Sequence, residues 1–341
     1  MVKVKRYISA NFVKSFLTIF LPFFLIISLV YLVKISALTA KIQITFFEIL
    51  TLYSYSIPDI MFYTLPLSFI AALANVLVKL SQDNELIALY ALGLNANHLL
   101  RRLFLLSLLF SILLASISFL AMPLSKQLYK SFTEEKKSEA KLNIIPGELG
   151  QKFGDYYIYV KEKDKKNDVF NDMVVYNRTD KNNEQFFAAK TGKLNNKPEI
   201  SSLLLNDGYG YTYSDIKLQQ AQYKSLEVFD SVKKASYRFE DILEHWGLAA
   251  TDTKRMHRLL FFTFVSLIPL LALYLVASFT MINPRYQKNR SFLVIFVTSL
   301  LLYMIASGLE KWGTPLILLL CIGFTSLLGL WLFNRRVSKY F

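Results

Sequence analysis

Six uninterrupted apolar runs dominate this chain, and each is about as long as a bilayer is thick. They cover about residues 8–33, 57–80, 103–122, 259–282, 291–307 and 316–333. A helix needs about 20 mostly apolar residues to cross the hydrocarbon core. Lipid offers no hydrogen bonds, so each backbone N–H and C=O must find its partner within the segment, and runs of this length read as spanning helices. Composition agrees: 54% of residues are hydrophobic and only 19% are charged, below the ~25% charged residues of ordinary soluble domains. The basic start VKVKR before the first run resembles a signal peptide. The apolar core is too long for one, however, and no small-x-small cleavage site follows, so the run reads as a retained first span.

Lysine and arginine near the span ends set the orientation. Lys3, Lys5 and Arg6 precede span one, and Lys79, Arg101 and Arg102 lie between spans two and three. Arg285, Lys288 and Arg290 lie between spans four and five, and Arg335, Arg336 and Lys339 follow span six. All four clusters fall on one side if every run crosses, and that side is expected to be the cytoplasm. Both termini are then cytoplasmic, and the long central segment faces the opposite compartment. The net charge of +14 is thereby read as topology and attraction to anionic lipid, with no nucleic-acid partner. The lone Cys321 can form no internal disulfide.

Residues 126–257 change character. DYYIYV, DMVVYN, EQFFAAKTGKL, ISSLLLNDGYGYTYS, IKLQQAQY and KSLEVFD are short runs rich in β-branched and aromatic residues, punctuated by turn sequences such as KEKDKKND, NKPE and NDGYG. This pattern predicts a sandwich or jelly roll of short strands. KQLYKSFTEEKKSEAK continues span three as a helix, and YRFEDILEHWG returns to the membrane as a short helix or loop. The fold class is therefore an α+β membrane protein: spans one to three in residues 1–125, a β-jellyroll-like domain in 126–257, and spans four to six in 258–341.

Several chemistries find no support. The G-x-x-x-x-G-K-[ST] phosphate loop is absent, so the chain is not expected to hydrolyse ATP. His98, His245 and His257 are scattered and lack ligand spacing, so no metal site is read. There is no G-x-S-x-G elbow. Asp59, near the outer end of span two, is the main acid within a span, which gives poor support for a proton relay; it is read first as interfacial or as a local cap, with a functional role as the alternative.

SQDNELIALYALGLN, on the cytoplasmic side between spans two and three, is longer than a tight connection needs. Leu86, Leu89, Tyr90, Gly93 and Leu94 recur at helical spacing. Ser81 is placed to cap this helix, Asp83 and Glu85 fall in its first turn, Gly93 ends or bends it, and Asn95 caps the next. An amphipathic helix here either lies on lipid headgroups, which Asp83 and Glu85 disfavour, or docks its apolar face into a groove of a cytosolic partner.

LPLSFIAALANVLVKLSQDNELIALYALGLNANHLLR resembles the signature of the permease subunits of the lipopolysaccharide-transport ABC exporter. EAKLNIIPGELGQKFGDYYIYV, MINPR and the plan of three spans, a β domain and three spans extend the resemblance along the whole chain. NPR after span four, with the EAK…PG run, leans toward the F-type of the two paralogous permeases. Tyr90, Leu92 and Asn95 depart from the family's usual residues. The resemblance implies a coupling helix over about residues 82–94, inserted in a cytosolic ABC ATPase dimer, with Glu85 at the acidic position and Leu86, Leu89, Tyr90 and Gly93 seating it. It also implies a bacterial inner-membrane location, with the β domain in the periplasm. A second homologous permease, a periplasmic jellyroll bridge protein and lipopolysaccharide are the implied partners. No cofactor is expected on this chain; ATP and Mg would be used by the ATPase.

The outer span ends are unexpectedly basic. Lys34 and Lys41 follow span one, Lys126 and Lys130 lie one turn apart as span three emerges, and Arg255 and Arg258 open span four with Lys254. A cation is costly at mid-bilayer, about 2.5–3.5 kcal/mol on insertion scales, and less near the interface. Each taken singly fits snorkelling to the headgroups as well as it fits a ligand contact. As a group they suit an anionic amphiphile, and Lys34 matches a substrate-contacting lysine of the family. Ser107, Ser111, Ala115 and Ser118, and in span six Gly323, Ser326 and Gly329, are read as close helix packing. Two rival readings remain: a membrane-anchored periplasmic assembly scaffold, and an ion-coupled carrier. The scaffold makes Glu85 and Lys34 dispensable. The carrier needs intramembrane acids and inverted repeats, which the sequence lacks.

Overall fold

The structure is a computed structural model describing residues 2–39, 44–141, 144–153, 156–164, 169–177, 183–196, 201–214, 217–229, 239–282 and 290–338. Lys41 and the 283–289 part of the loop after span four, with Arg285 and Lys288, lie outside the described residues, as does Lys339. The chain divides into two units: residues 1–37, 46–129 and 239–341 form one, and 38–45 with 130–238 form the other.

The first unit is helical. The helices are α1 (Val2–Thr39), α2 (Phe46–Gln82), the short α3 (Glu85–Ala91), α4 (Ala96–Ser116), α5 (Met122–Lys141), α6 (Ile242–Gly247), α7 (Thr253–Thr280), α8 (Ser291–Trp312) and α9 (Pro315–Phe333), of which only residues 38–39 of α1 and 130–141 of α5 belong to the second unit. A π turn over Ile117–Ala121 joins α4 to α5, so the third span is one continuous helix. Among the described residues six helices are long and apolar enough to cross a membrane, in the expected 3+3 order. Pro58 and Pro66 in α2 and Pro269 in α7 lie inside their helices, which neighbouring helices allow in membrane spans.

α2 and α7 form the centre and bury most of their length, whereas α1, α8 and α9 bury little. Ser107, Ser111 and Ser118 of the third span are buried as the small-residue stripe predicts, and the Ser118 and Ser266 hydroxyls hydrogen-bond across to α7 at 3.1 Å. Gly329 of α9 packs on Tyr274 and Leu275, whereas Gly323 faces open space. α1 is seated at its first turns, where Phe12 and Phe16 join Phe69 and Phe110 in an aromatic cluster; Phe16 and Phe110 meet edge to face at 4.9 Å. Tilted and T-shaped contacts of this kind suit the ring quadrupoles.

The second unit holds one six-stranded antiparallel sheet in sequential order: β1 (Gln151–Phe153), β2 (Tyr156–Asp164), β3 (Val169–Asn177), β4 (Asn183–Asn196), β5 (Ser201–Ser214) and β6 (Lys217–Phe229). The strands are those the sequence marks, but no Greek-key crossover joins them among the described residues. One line across this single sheet, here termed the crease, interrupts its pairing. Lys161, Asp172, Lys190, Asp207 and Lys224 occupy one transverse row, flanked by paired rows on either side. Asp172 and Asp207 adopt φ of 53° and 51°, the left-handed region that Asp tolerates better than most residues.

Alternation slips by one residue at this row, as at a β-bulge. Met173 and Phe170 are three apart yet both buried, and Ala189 with Gly192 and Gly208 with Leu205 repeat the step. The face so gathered, including Ile158, Val160, Phe170, Val175, Leu203, Leu205 and Val228, forms the core of the unit. Gly208 sits under Tyr223, whose hydroxyl donates to the Ala188 carbonyl at 3.0 Å.

Candidate functional site

The end of α2 departs from expectation. α2 runs on to Gln82, so Ser81 does not cap the short helix; it is buried inside α2. Its hydroxyl lies 2.9 Å from both the Leu77 and Thr280 carbonyls and accepts from the Ile282 N–H at 3.2 Å, which pins α2 to the end of α7. The chain then reverses through Asn84, in the left-handed region at φ 59°, and α3 begins at Glu85.

Its other end is as the sequence predicts. Gly93, at φ +78°, donates to the Tyr90 carbonyl, and Leu94 donates to that of Leu89, the paired bonds of a Schellman stop, which favours glycine at that position. Asn95 occupies the N-cap position of α4 in extended conformation, but its side chain makes no cap bond.

The stripe on α3 is turned inward. Leu86 is 3% exposed, and Leu89 and Tyr90 pack on the helical core; burial pushes the Tyr90 hydroxyl up to about 12. These three therefore do not offer a free docking face, because the protein's own helices occupy it. The outward face is Ile87, Ala88, Ala91 and Leu92, with Leu92 78% exposed. Glu85 is half-buried, and its Oε1 accepts from the Tyr7 hydroxyl of α1 at 2.8 Å. A second tie lies nearby, where Arg102 Nε donates to Ser9 Oγ at 3.0 Å. Tyr7 escaped the sequence reading because nothing local marks a contact across 78 positions.

At the other end of the bundle the cations separate into two kinds. Lys34 is exposed, its ammonium 5.7 Å from the centre of the Tyr31 ring. Lys126 is half-exposed, 3.4 Å from Asp59 Oδ1 and 5.6 Å from the centre of the Phe262 ring. Lys130 reaches Glu134 one turn on, at 3.9 Å, and Arg258 is exposed. Arg255 is not a free cation. Its guanidinium grips both Glu240 oxygens at 2.8 and 3.0 Å and lies 3.6 Å from Asp252. Gln127 holds the Glu240 backbone from both sides, accepting from its N–H at 2.9 Å and donating to its carbonyl at 3.1 Å.

Asp241 and Asp252 cap α6 and α7, which explains why α7 begins before the apolar run does. Trp246 donates its indole N–H to the Phe119 carbonyl inside the π turn at 2.9 Å. Together these contacts form a latch between the re-entry segment and spans three and four. Among the described residues no cluster of His, Cys, Asp or Glu could hold a metal ion.

The latch makes stability depend on pH. Arg255, and then His245, hold the Glu240 carboxyl at about 2, below the ordinary 4.5. A depressed carboxyl stabilises the fold fully above its unfolded value and loses that contribution as protons bind. The thermal midpoint of the detergent-solubilised protein should therefore carry a component that falls between pH 4.5 and about 2. Glu240→Gln should lower the midpoint at neutral pH and remove that component; an unchanged profile would mean the latch contributes nothing.

Six helices long and apolar enough to cross a membrane among the described residues, with an antiparallel sheet inserted between the third and fourth, define a multi-pass membrane protein. The family model described as lipopolysaccharide export system permease LptF/LptG matches residues 6–335, and the chain belongs to that family. No individual curated protein matches the chain.

Proposed function

We propose that this permease extracts lipopolysaccharide from the outer leaflet of the inner membrane and passes it to a periplasmic jellyroll bridge. A separate cytosolic ABC ATPase dimer supplies the energy, and a second, homologous permease closes the cavity. The termini and α3 are cytoplasmic in this reading, and the sheet unit is periplasmic. The observation that carries it is α2. Between Asp59 and Gln82 lie about 35 Å of continuous helix at 1.5 Å per residue, more than the ~30 Å hydrocarbon core. One element therefore joins the cationic rim to the start of the coupling segment.

In this mechanism the outward face of α3, with Leu92 foremost, seats in the ATPase cleft. The inward face transmits the movement, because Leu86, Leu89 and Tyr90 are already locked to the core. Glu85 fixes the register, and through Tyr7 the movement reaches α1. The apolar faces left open on α1 and α8, such as Leu25, Leu29, Val33, Phe292, Phe296 and Met304, suit acyl chains and the second permease. Lys34 and Lys126, with Lys41, Lys130 and Arg258, attract the lipid's phosphates. Arg255 serves instead in the latch. ATP and Mg act on the partner, with no cofactor on this chain.

The test is purification of the tagged protein in mild detergent, with a photocrosslinker in place of Lys34. Co-elution of an ABC ATPase and a second six-span permease, with ATP-dependent capture of lipopolysaccharide, is the expected result. A lone chain that captures no lipid would move the reading to the membrane-anchored scaffold. With the crosslinker moved to a neighbouring position, Lys34→Ala should lower lipopolysaccharide capture about tenfold, as for loss of a charge-assisted hydrogen bond.

A further inference from the structure

Asp59 is an anion at a rim expected to bind anions. It lies in α2 with its side chain 24% exposed, and Lys126 of α5 sits beside it at 3.4 Å. Among the described residues, its Oδ1 is fully occluded and receives no hydrogen bond, so the ammonium neutralises this oxygen by proximity alone. Lys126 itself is only half covered, by Asp59 on one side and the face of Phe262 on the other. An ammonium has three donors, and this contact leaves them available. The pair is thus a half-covered cation beside a carboxylate whose Oδ1 takes no hydrogen bond from it.

From this geometry we infer that Asp59 is a resident counter-anion that weakens the hold of Lys126 on a lipid phosphate. It is a positioning residue that acts through Lys126. When a phosphate reaches Lys126, two anions flank one cation, and their repulsion favours release of the mobile one. An exporter needs such release, because a rim that bound its cargo at full strength would retain it. This inference rests on the proposed contact between Lys126 and lipopolysaccharide. It predicts the unusual sign for a substitution at a substrate rim: neutralising Asp59 strengthens retention.

The experiment measures lipid retained by the full permease complex after washing at fixed ionic strength. Mass spectrometry counts lipopolysaccharide and phosphatidylglycerol separately, and thermal midpoints are recorded in parallel. Asp59→Asn should retain roughly fivefold more lipopolysaccharide than wild type, the scale of one nearby like charge in a wet environment. Asp59→Glu should return toward wild type, and Asp59→Asn should give no gain in a Lys126→Ala background. Asp59→Ser serves in the same way if Asp59→Asn does not accumulate. Unchanged or reduced retention in the neutral variants, with Lys126→Ala still lowering it, overturns the inference and leaves the lipid contact standing. A gain confined to phosphatidylglycerol also overturns it. No effect of Lys126→Ala, with Lys34→Ala still lowering retention, removes Lys126 from the rim and the inference with it, while the export reading survives.

Discussion

Glu85→Arg is expected to strip the ATPase from the purified permease, lowering its retention by more than about 100-fold, and to stop export. Two effects add. The carboxylate that accepts from Tyr7 at 2.8 Å is lost, and arginine has no acceptor to replace it. On the proposed coupling role the charge offered to the ATPase also reverses, and like charges juxtaposed in an interface cost several kcal/mol. Glu85→Gln keeps an acceptor for Tyr7 without the charge and should fall in between. Tyr7→Phe removes only the internal bond, worth about 1.5–3 kcal/mol because its acceptor is charged, and should leave ATPase retention within about threefold of wild type, because the carboxylate and its charge stay in place. The measurement is the ATPase-to-permease ratio in the eluate across the three variants, with membrane expression matched. If Tyr7→Phe loses as much ATPase as Glu85→Arg, the carboxylate serves to hold α1 and the partner contact must lie elsewhere on α3.

Gly208→Ala should be the most damaging single-methyl change in the inserted sheet. A Cβ at this position would overlap the Ala188 carbonyl oxygen and crowd the Tyr223 ring at 2.5–2.6 Å. The first obstacle is backbone and cannot rotate aside. Overpacking of this kind costs about 1–3 kcal/mol and sometimes more, and the site adjoins the crease, where both halves of the sheet depend on register. A loss of about 3 kcal/mol would lower the unfolding midpoint of a unit this size by roughly 10–20 °C. Limited proteolysis of the full chain during heating, read as cleavage within residues 130–238, follows that unit separately from the helices. Tyr223→Phe, which loses only the bond to Ala188, should cost about 1 kcal/mol. A Gly208→Ala protein with unaltered protease resistance would mean the crease relaxes more easily than its packing implies.

What the sequence revealed depended on the range of the interaction involved. Span lengths are local, and all six helices lie where apolar runs predict them. The stop at Gly93 was legible because only a few residues build that turn. The stripe Leu86–Leu89–Tyr90 correctly announced a helix with one face to bury. Periodicity carries no information about the surface that does the burying, and here it is the protein's own core. Ser81 was misread for a related reason: a serine before a helical stripe fits a cap, and only the approach of α7 gives its hydroxyl a better use. Arg255 looked like one more rim cation until its distance to Glu240 was known. The crease was out of reach, since it exists only once five strands share a register. Among the candidate site residues, Lys34 and Lys126 stand out in the sequence as cations at outer span ends and Glu85 as an acid in the first turn of the helical stripe, whereas Tyr7 enters only through its bond to Glu85.

α1 is fixed at few points along its length. Its first turns hold the aromatic cluster, Ser28 accepts from Tyr53 at 3.0 Å, and Ile35 is buried, yet Leu21, Leu25, Ile26, Leu29, Val30 and Val33 stay largely uncovered. On its own, the chain carries a long apolar helix whose flank only lipid can cover. The least anchored helix of the bundle is thus the one whose surroundings must come from outside the chain.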